Sequence, residues 1–245
     1  MDMEIPDQKA VDSPVSNVWI VGYPKSGNTW LSYLVSYCLN LPYLDYGAPQ
    51  KQPQRDWIRE AVSGQQLRSS PKNYAQVMKT HMLPEEISQI AGQVFYIQRD
   101  PRDVFVSTYY FMKMPSAGIW GRLRFNLLGL LGRKSQIRWF IKHWLNHVRT
   151  WHSQQITTIQ YEQLLARGSE YLQLNLKKAG FEVESNIVST GIETFSFENL
   201  SGGRKAGESD NRSFFRRGVA GDHQQFLTAD EQELFRNLAG KYLQS

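Results

Sequence analysis

Val18-Trp19-Ile20-Val21 is an unbroken apolar, β-prone run that stops at Gly22 and gives way to the polar turn Tyr23 to Thr29. Beyond the turn, Trp30, Leu31, Leu34, Val35, Cys38 and Leu39 recur at helical spacing. Strand, glycine-bearing turn and helix, in that order, constrain the fold more than any other feature of the chain. An apolar run without alternation suits a strand covered on both faces, which is the habit of parallel sheets. The same order sets a helix N-terminus, with its unpaired N–H groups, directly after the turn.

The rest of the chain repeats the alternation. Ala75 to Thr80 reads as a strand ending at His81, Val94 to Ile97 as one ending before Arg99, and Thr157 to Tyr161 as another. Pro84-Glu85-Glu86-Ile87 opens a short helix, with proline in the first turn and acids at its positive end. Helices are expected near Trp57 to Val62, at Val104 to Phe111, Glu162 to Ala166, Ser169 to Ala179 and Ala229 to Leu243. Ile141, Trp144, Leu145, Val148 and Trp151 mark one more, amphipathic. Gly118 to Lys134 fits no single pattern, and Ser201 to Asp222 reads as a long loop. The alternation implies an α/β fold of three layers, a mainly parallel central sheet flanked by helices. Residues 1–17 read as a loose tail and 18–245 as one domain.

The tail lacks the basic-then-apolar order of a secretory signal, and no apolar run nears the ~18 residues of a bilayer span. A soluble, cytoplasmic protein is expected. Cys38 is the single cysteine, so an intrachain disulfide framework and metal sites built on several thiolates are excluded. The net charge of +5 is unevenly placed. Lys113, Arg122, Arg124, Arg133, Lys134, Arg138, Lys142 and Arg149 follow one another with no acid between them. Without these eight, the chain holds 20 Lys+Arg against 23 Asp+Glu. A local excess of this kind points to an anionic partner at one place, or to a solvated basic face.

Three strands end in polar clusters: the Lys25 turn, Lys79-Thr80-His81, and Arg99 with Arg102. Ligands of open parallel sheets sit at the carboxyl ends of the strands, so these clusters are expected to share one anionic crevice. Gly27 lets the turn curl around an anion, and Lys25, Ser26, Asn28 and Thr29 add donors. The lysine precedes the glycine, so this is not the Walker pattern. An ordinary turn with Thr29 as a cap is the plainer reading. His81 can serve as a general base, because neutral imidazole near pH 7 takes a proton from a hydroxyl or amine. His143 and His147 have metal-ligand spacing, but no third ligand is evident and no metal is expected.

Tyr23-Pro24-Lys25-Ser26-Gly27-Asn28-Thr29-Trp30 resembles the Y-P-K-S-G-T-T-W loop of the cytosolic-type sulfotransferases that use 3′-phosphoadenosine 5′-phosphosulfate (PAPS), with Asn28 in place of a threonine. Lys79-Thr80-His81-Met82-Leu83-Pro84 is similar to that family's K-T-H-L-P segment. Arg99 with Ser107, and Arg216-Arg217-Gly218 followed by Gly221-Asp222, are similar to two further landmarks, and the likeness runs in order over nearly the whole chain. The resemblance implies a P-loop-like fold and transfer of sulfate to a small acceptor, leaving adenosine 3′,5′-bisphosphate (PAP), and the leucines and Trp120 of the basic stretch suggest that the acceptor is apolar or that the stretch is a lid. His81 would be the base and Lys25 and Lys79 would flank the leaving oxygen, with no metal required. Arg99 and Ser107 would hold the 3′-phosphate. Trp30, Tyr161 and the segment Phe195-Ser196-Phe197 would surround the adenine, Phe195 standing where the family has threonine. The family's dimer segment is altered at Gln224 and Ala229, so no oligomeric state is implied. Two rival readings remain: a phosphotransferase with a variant loop, and a basic module in which 113–149 meets anionic lipid. No nucleic-acid motif is present.

Overall fold

The computed structural model describes residues 16–46, 71–87 and 90–243. Its strands are β1 (Ser16–Val21), β2 (Tyr43–Asp45), β3 (Tyr74–Thr80), β4 (Gly92–Gln98) and β5 (Thr157–Gln160). All pair in parallel, in the order β2-β3-β1-β4-β5. The helices among the described residues are α1 (Asn28–Leu39), α2 (Pro101–Phe111), α3 (Ile119–Leu130), α4 (Arg133–His152), α5 (Tyr161–Lys178), α6 (Ser185–Thr194), α7 (Phe197–Ser201), α8 (His223–Phe226) and α9 (Ala229–Ala239).

Side chains alternate across a strand, so each central strand feeds two cores. Val18, Ile20, Phe95 and Ile97 face one side, where α1, α5 and α6 add Leu31, Leu34, Leu172, Leu176 and Val188. Trp19, Val21, Val94 and Tyr96 face the other, against Phe105 of α2, Phe140, Trp144 and Trp151 of α4, and Phe235 of α9. This is the three-layer α/β arrangement expected from the sequence. Each large side chain so buried contributes about 1.5–3 kcal/mol of transfer free energy. Cys38 is buried in the first core.

Several elements differ from expectation. β1 begins at Ser16, inside the stretch read as a tail, while residues 1–15 and the helix expected at 57–62 lie outside the described residues. β2 was not anticipated. α2 starts three residues early because Asp100 caps it, accepting from the Arg102 N–H at 2.8 Å, with Pro101 in the first turn. The two helices expected on either side of residue 168 are present within the span given to α5: the backbone at Gly168 (φ 49, ψ −118) is not helical and breaks it there. α9 ends at Ala239 and a 3₁₀ turn (Gly240–Tyr242) follows. The unassigned basic stretch holds α3 and the start of α4.

Candidate active site

β3, β1 and β4 are neighbours and end together, so the Gly22–Gly27 turn, His81 and Arg99 emerge along one edge of the sheet. Lys25 (φ 73) and Gly27 (φ 105) are both left-handed, a backbone that turns successive N–H groups into a common concavity. A left-handed lysine costs about 1–3 kcal/mol, strain of the kind found at functional sites. At Gly27 the cradle is closed from behind: a Cβ there would stand 2.7 Å from Tyr161 Cδ2. No side chain caps α1, Thr29 included, so its first N–H groups stay directed at this concavity.

The Lys25 ammonium lies 4.0 Å from the Phe214 ring centroid and 4.7 Å from that of Phe111. Burial, and after it the charges of Arg99, Lys79 and Arg216, lower its pKa to about 8. Those four cations therefore share one field. Lys79 is balanced by Asp45 of β2, 2.5 Å away. Arg99 donates to the Val219 carbonyl at 3.0 Å, faces Asp103 at 3.7 Å and lies over the Tyr161 ring. Arg216 and Arg217 both pair with Asp222, and Arg216 covers Tyr110. The buried Nε atoms of Arg99 and Arg216 have no partner among the described residues.

His81 Nδ1 lies 2.9 Å from the Gly22 carbonyl and 2.7 Å from Asn28 Nδ2, which itself donates to that carbonyl at 2.7 Å. Two partners contend for Nδ1: a proton there is donated to Gly22 and leaves Nε2 as the acceptor, whereas a bare Nδ1 accepts from Asn28 and puts the proton on Nε2. Burial, reinforced by Lys79, lowers the His81 pKa to about 4, so the ring is neutral at pH 7. Its backbone is held from α4. His147 Nε2 donates to the His81 carbonyl at 3.2 Å, Tyr96 donates to His147 Nδ1 at 2.9 Å, and the Trp151 indole donates to the Met82 carbonyl at 3.1 Å. The His143/His147 pair thus has a positioning use at His147, while the His143 ring meets the Trp139 carbonyl. Among the described residues no three metal-binding side chains converge.

The loop 202–222 folds back over the edge, fixed by Asp103, which accepts from the Gly221 N–H at 2.7 Å and from the backbone and ring of His223 at 3.0 and 2.8 Å. Gly218 sits flat on the Phe197 ring, where a Cβ would overlap it. Trp30 lies edge-on to Tyr161, and its indole donates to the Phe195 carbonyl at 3.0 Å. The Phe195 ring is 0% exposed and packs on Tyr33 and Tyr37 in the core, so the side chain standing in the family's threonine position offers no open face to a nucleotide, while Phe197, the phenylalanine expected to face the base, lies against Gly218. Ser196 caps α7, and Ser107 lies on α2. In the altered dimer segment Thr228 caps α9 and Glu233 pairs with Arg236.

A cleft of about 920 Å³ opens beside His81. Tyr23, Leu83, Trp139 and Leu145 give it apolar walls, and Arg138, Lys142 and Arg149 line it from α4. Of the eight clustered cations, Arg133 and Lys134 are neutralised by Glu231 and Asp230. Sequence reasoning missed Asp45, Asp103, His147 and Trp151 because their partners are distant in the chain. The dyad His81–His147 is separated by 66 residues and Asp103–His223 by 120.

Comparison with known proteins converges on one family. The sulfotransferase domain model matches residues 16–245. The guinea-pig (Cavia porcellus) 3-beta-hydroxysteroid sulfotransferase is 28% identical over 88% of this chain and 79% of its own length. Human sulfotransferase 2A1 is 22% identical over 91% and 82%. A mouse sulfotransferase, SULT7A1, solved with PAP, shares the fold at a TM-score of 0.63 and 20% identity, covering 96% of this chain and 87% of that one. No described helix is long and apolar enough to cross a membrane. The match over residues 16–245 makes the chain a member of the sulfotransferase domain family.

Proposed function

We propose that this sulfotransferase takes its sulfuryl group from PAPS and passes it to an acceptor hydroxyl or amine, with His81 as general base. One observation carries the reading. Lys25, Lys79, Arg99 and Arg216 act on one another at the mouth of a left-handed backbone nest, and two of the guanidinium groups keep buried N–H atoms without partners. A multiply charged nucleotide fits such a site: it supplies acceptors for the orphaned donors and the counter-charge for cations that otherwise repel. When bound, it supplies an activated sulfuryl group on a phosphate leaving group.

The chain's own residues divide the remaining work. The turn N–H groups and Lys25 hold negative charge at the α1 N-terminus. Arg99, Ser107 and the segment Arg216-Arg217-Gly218 face the nucleotide's other phosphate, and Trp30, Tyr161 and Phe197 offer aromatic surface to its base. His81, with Nδ1–H on Gly22, takes the acceptor's proton at Nε2. Positioning and electrostatics supply most of the acceleration in transfers of this type. The acceptor occupies the cleft beside His81. Its apolar walls and three cations suit an amphipathic molecule with an anionic group, which is narrower than a simply apolar acceptor.

Thermal unfolding with added ligands tests the donor. PAP at 100 times its Kd stabilises the fold by about 2.7 kcal/mol and raises Tm, whereas ATP with magnesium leaves it unmoved. A rise with ATP and magnesium alone establishes the phosphotransferase reading instead.

A further inference from the structure

α3 turns its apolar face outward. Ile119, Trp120, Leu123, Leu127, Leu130 and Leu131 are between 49% and 82% exposed, and Phe125 is the helix's single buried residue. Positions 119, 123, 127 and 130 step by three or four along one face, with Trp120 and Leu131 beside them, opposite Phe125. A soluble surface rarely leaves so much contiguous apolar area in water. Cations border the stripe on both sides: Arg122 follows Ile119 by three residues, and Arg124 follows Trp120 by four and precedes Leu127 by three. Lys113 stands exposed just before the helix. None of these three has an ion-pair partner among the described residues, and the sequence from Lys113 to Arg149 contains no acid.

We propose that α3 is an interfacial helix that seats this protein on an anionic lipid surface, independently of how the nucleotide site is read. Twelve residues are too short to span a bilayer, so the helix lies in the plane of the interface. Its leucines and isoleucine enter the acyl boundary, Trp120 sits at headgroup depth, and the bordering arginines meet lipid phosphate. Charge decides between this surface and a second copy of the chain. A two-fold contact through the stripe would set Arg122 and Arg124 against their own copies with no acid of the segment to offset them, whereas an anionic membrane offsets every one.

The full chain is to be sedimented with vesicles of phosphatidylcholine alone and of phosphatidylcholine with 30 mol% phosphatidylglycerol, at 0.1 and 0.5 M salt. Binding at least tenfold tighter to the anionic vesicles, lost at high salt, is the expected result. Trp120→Ser with Leu127→Ser weakens it by a further tenfold or more while leaving Tm and PAP binding unchanged, since both side chains are exposed. Arg122→Gln with Arg124→Gln lowers binding to the anionic vesicles only. No sedimentation with either vesicle, equal binding to both, or a concentration-dependent dimer abolished by the serine pair would each overturn the proposal.

Discussion

Lys25 couples the site to pH in a way that can be worked out beforehand. In the free protein its pKa is lowered to about 8 by burial and by Arg99, Lys79 and Arg216, against an ordinary value of 10.5. A bound polyanion reverses the electrostatic part and holds the lysine charged. The group is thus deprotonated more readily in the free state than in the bound one, so binding takes up a proton above pH 8. Affinity is fully present below pH 8 and declines as pH rises through it. At pH 7 about a tenth of Lys25 is neutral and at pH 9 about nine-tenths, so the Kd for PAP rises about tenfold, worth about 1.4 kcal/mol. His81, already neutral above pH 4, and the phosphates of PAP, fully ionised above pH 7, add nothing across this window. Titration calorimetry at pH 7, 8 and 9, in two buffers of different ionisation enthalpy, reads both the Kd and the proton uptake. Lys25→Arg, charged at every pH, gives a flat profile. A wild-type Kd constant within twofold from pH 7 to 9, with no proton uptake, would rule out this coupling between Lys25 and the nucleotide.

Three further outcomes follow from the same geometry. Gly27→Ala forces a left-handed alanine against Tyr161, costing about 1–3 kcal/mol in unfolding free energy and weakening PAP binding, as denaturant titration and calorimetry will show. Asn28→Thr removes the amide that competes with Gly22 for His81 Nδ1, shifting the ring toward the Nδ1–H tautomer. Imidazole ¹⁵N chemical shifts detect the change, and an unaltered spectrum would show that Asn28 does not govern the tautomer. Asp103→Asn leaves one amide oxygen for three N–H donors and turns its own NH₂ toward at least one of them. It lowers stability by about 1–3 kcal/mol and loosens the 202–222 loop, measurable as faster amide exchange at Gly221 and His223.

The sheet was legible because β1 and β4 carry unbroken apolar runs and β3 a short β-prone stretch ending just before His81, and the turn was legible because its residues are local to one another. β2 was not, since three residues after Pro42 are too few for a period and its pairing with β3 is set by the tertiary fold. α3 resisted assignment for a physical reason: helix reading assumes that the apolar face is the buried one, and here it faces out, with Phe125 the lone inward anchor. The candidate site divides along the same line. Lys25, His81 and Arg99 could be placed on one edge from strand ends alone. Asp45, Asp103 and His147 could not, because an ion pair or hydrogen bond between residues far apart in the chain leaves no spacing to detect. Phe195 shows the limit of carrying a position over by its neighbours: its backbone carbonyl meets Trp30, and its ring turns into the core.

Removal of the acceptor's proton by His81 is the step on which the proposed transfer turns. The most direct measurement is transfer of labelled sulfate from PAPS by wild type and His81→Ala across pH 4 to 8. At saturating PAPS, wild-type kcat should keep its plateau down to an acid limb near pH 4, where the buried imidazole finally protonates, and His81→Ala should lose about 10² to 10⁴-fold in rate with PAP binding intact. An alanine variant within tenfold of wild type, with the same pH profile, would contradict this role for His81.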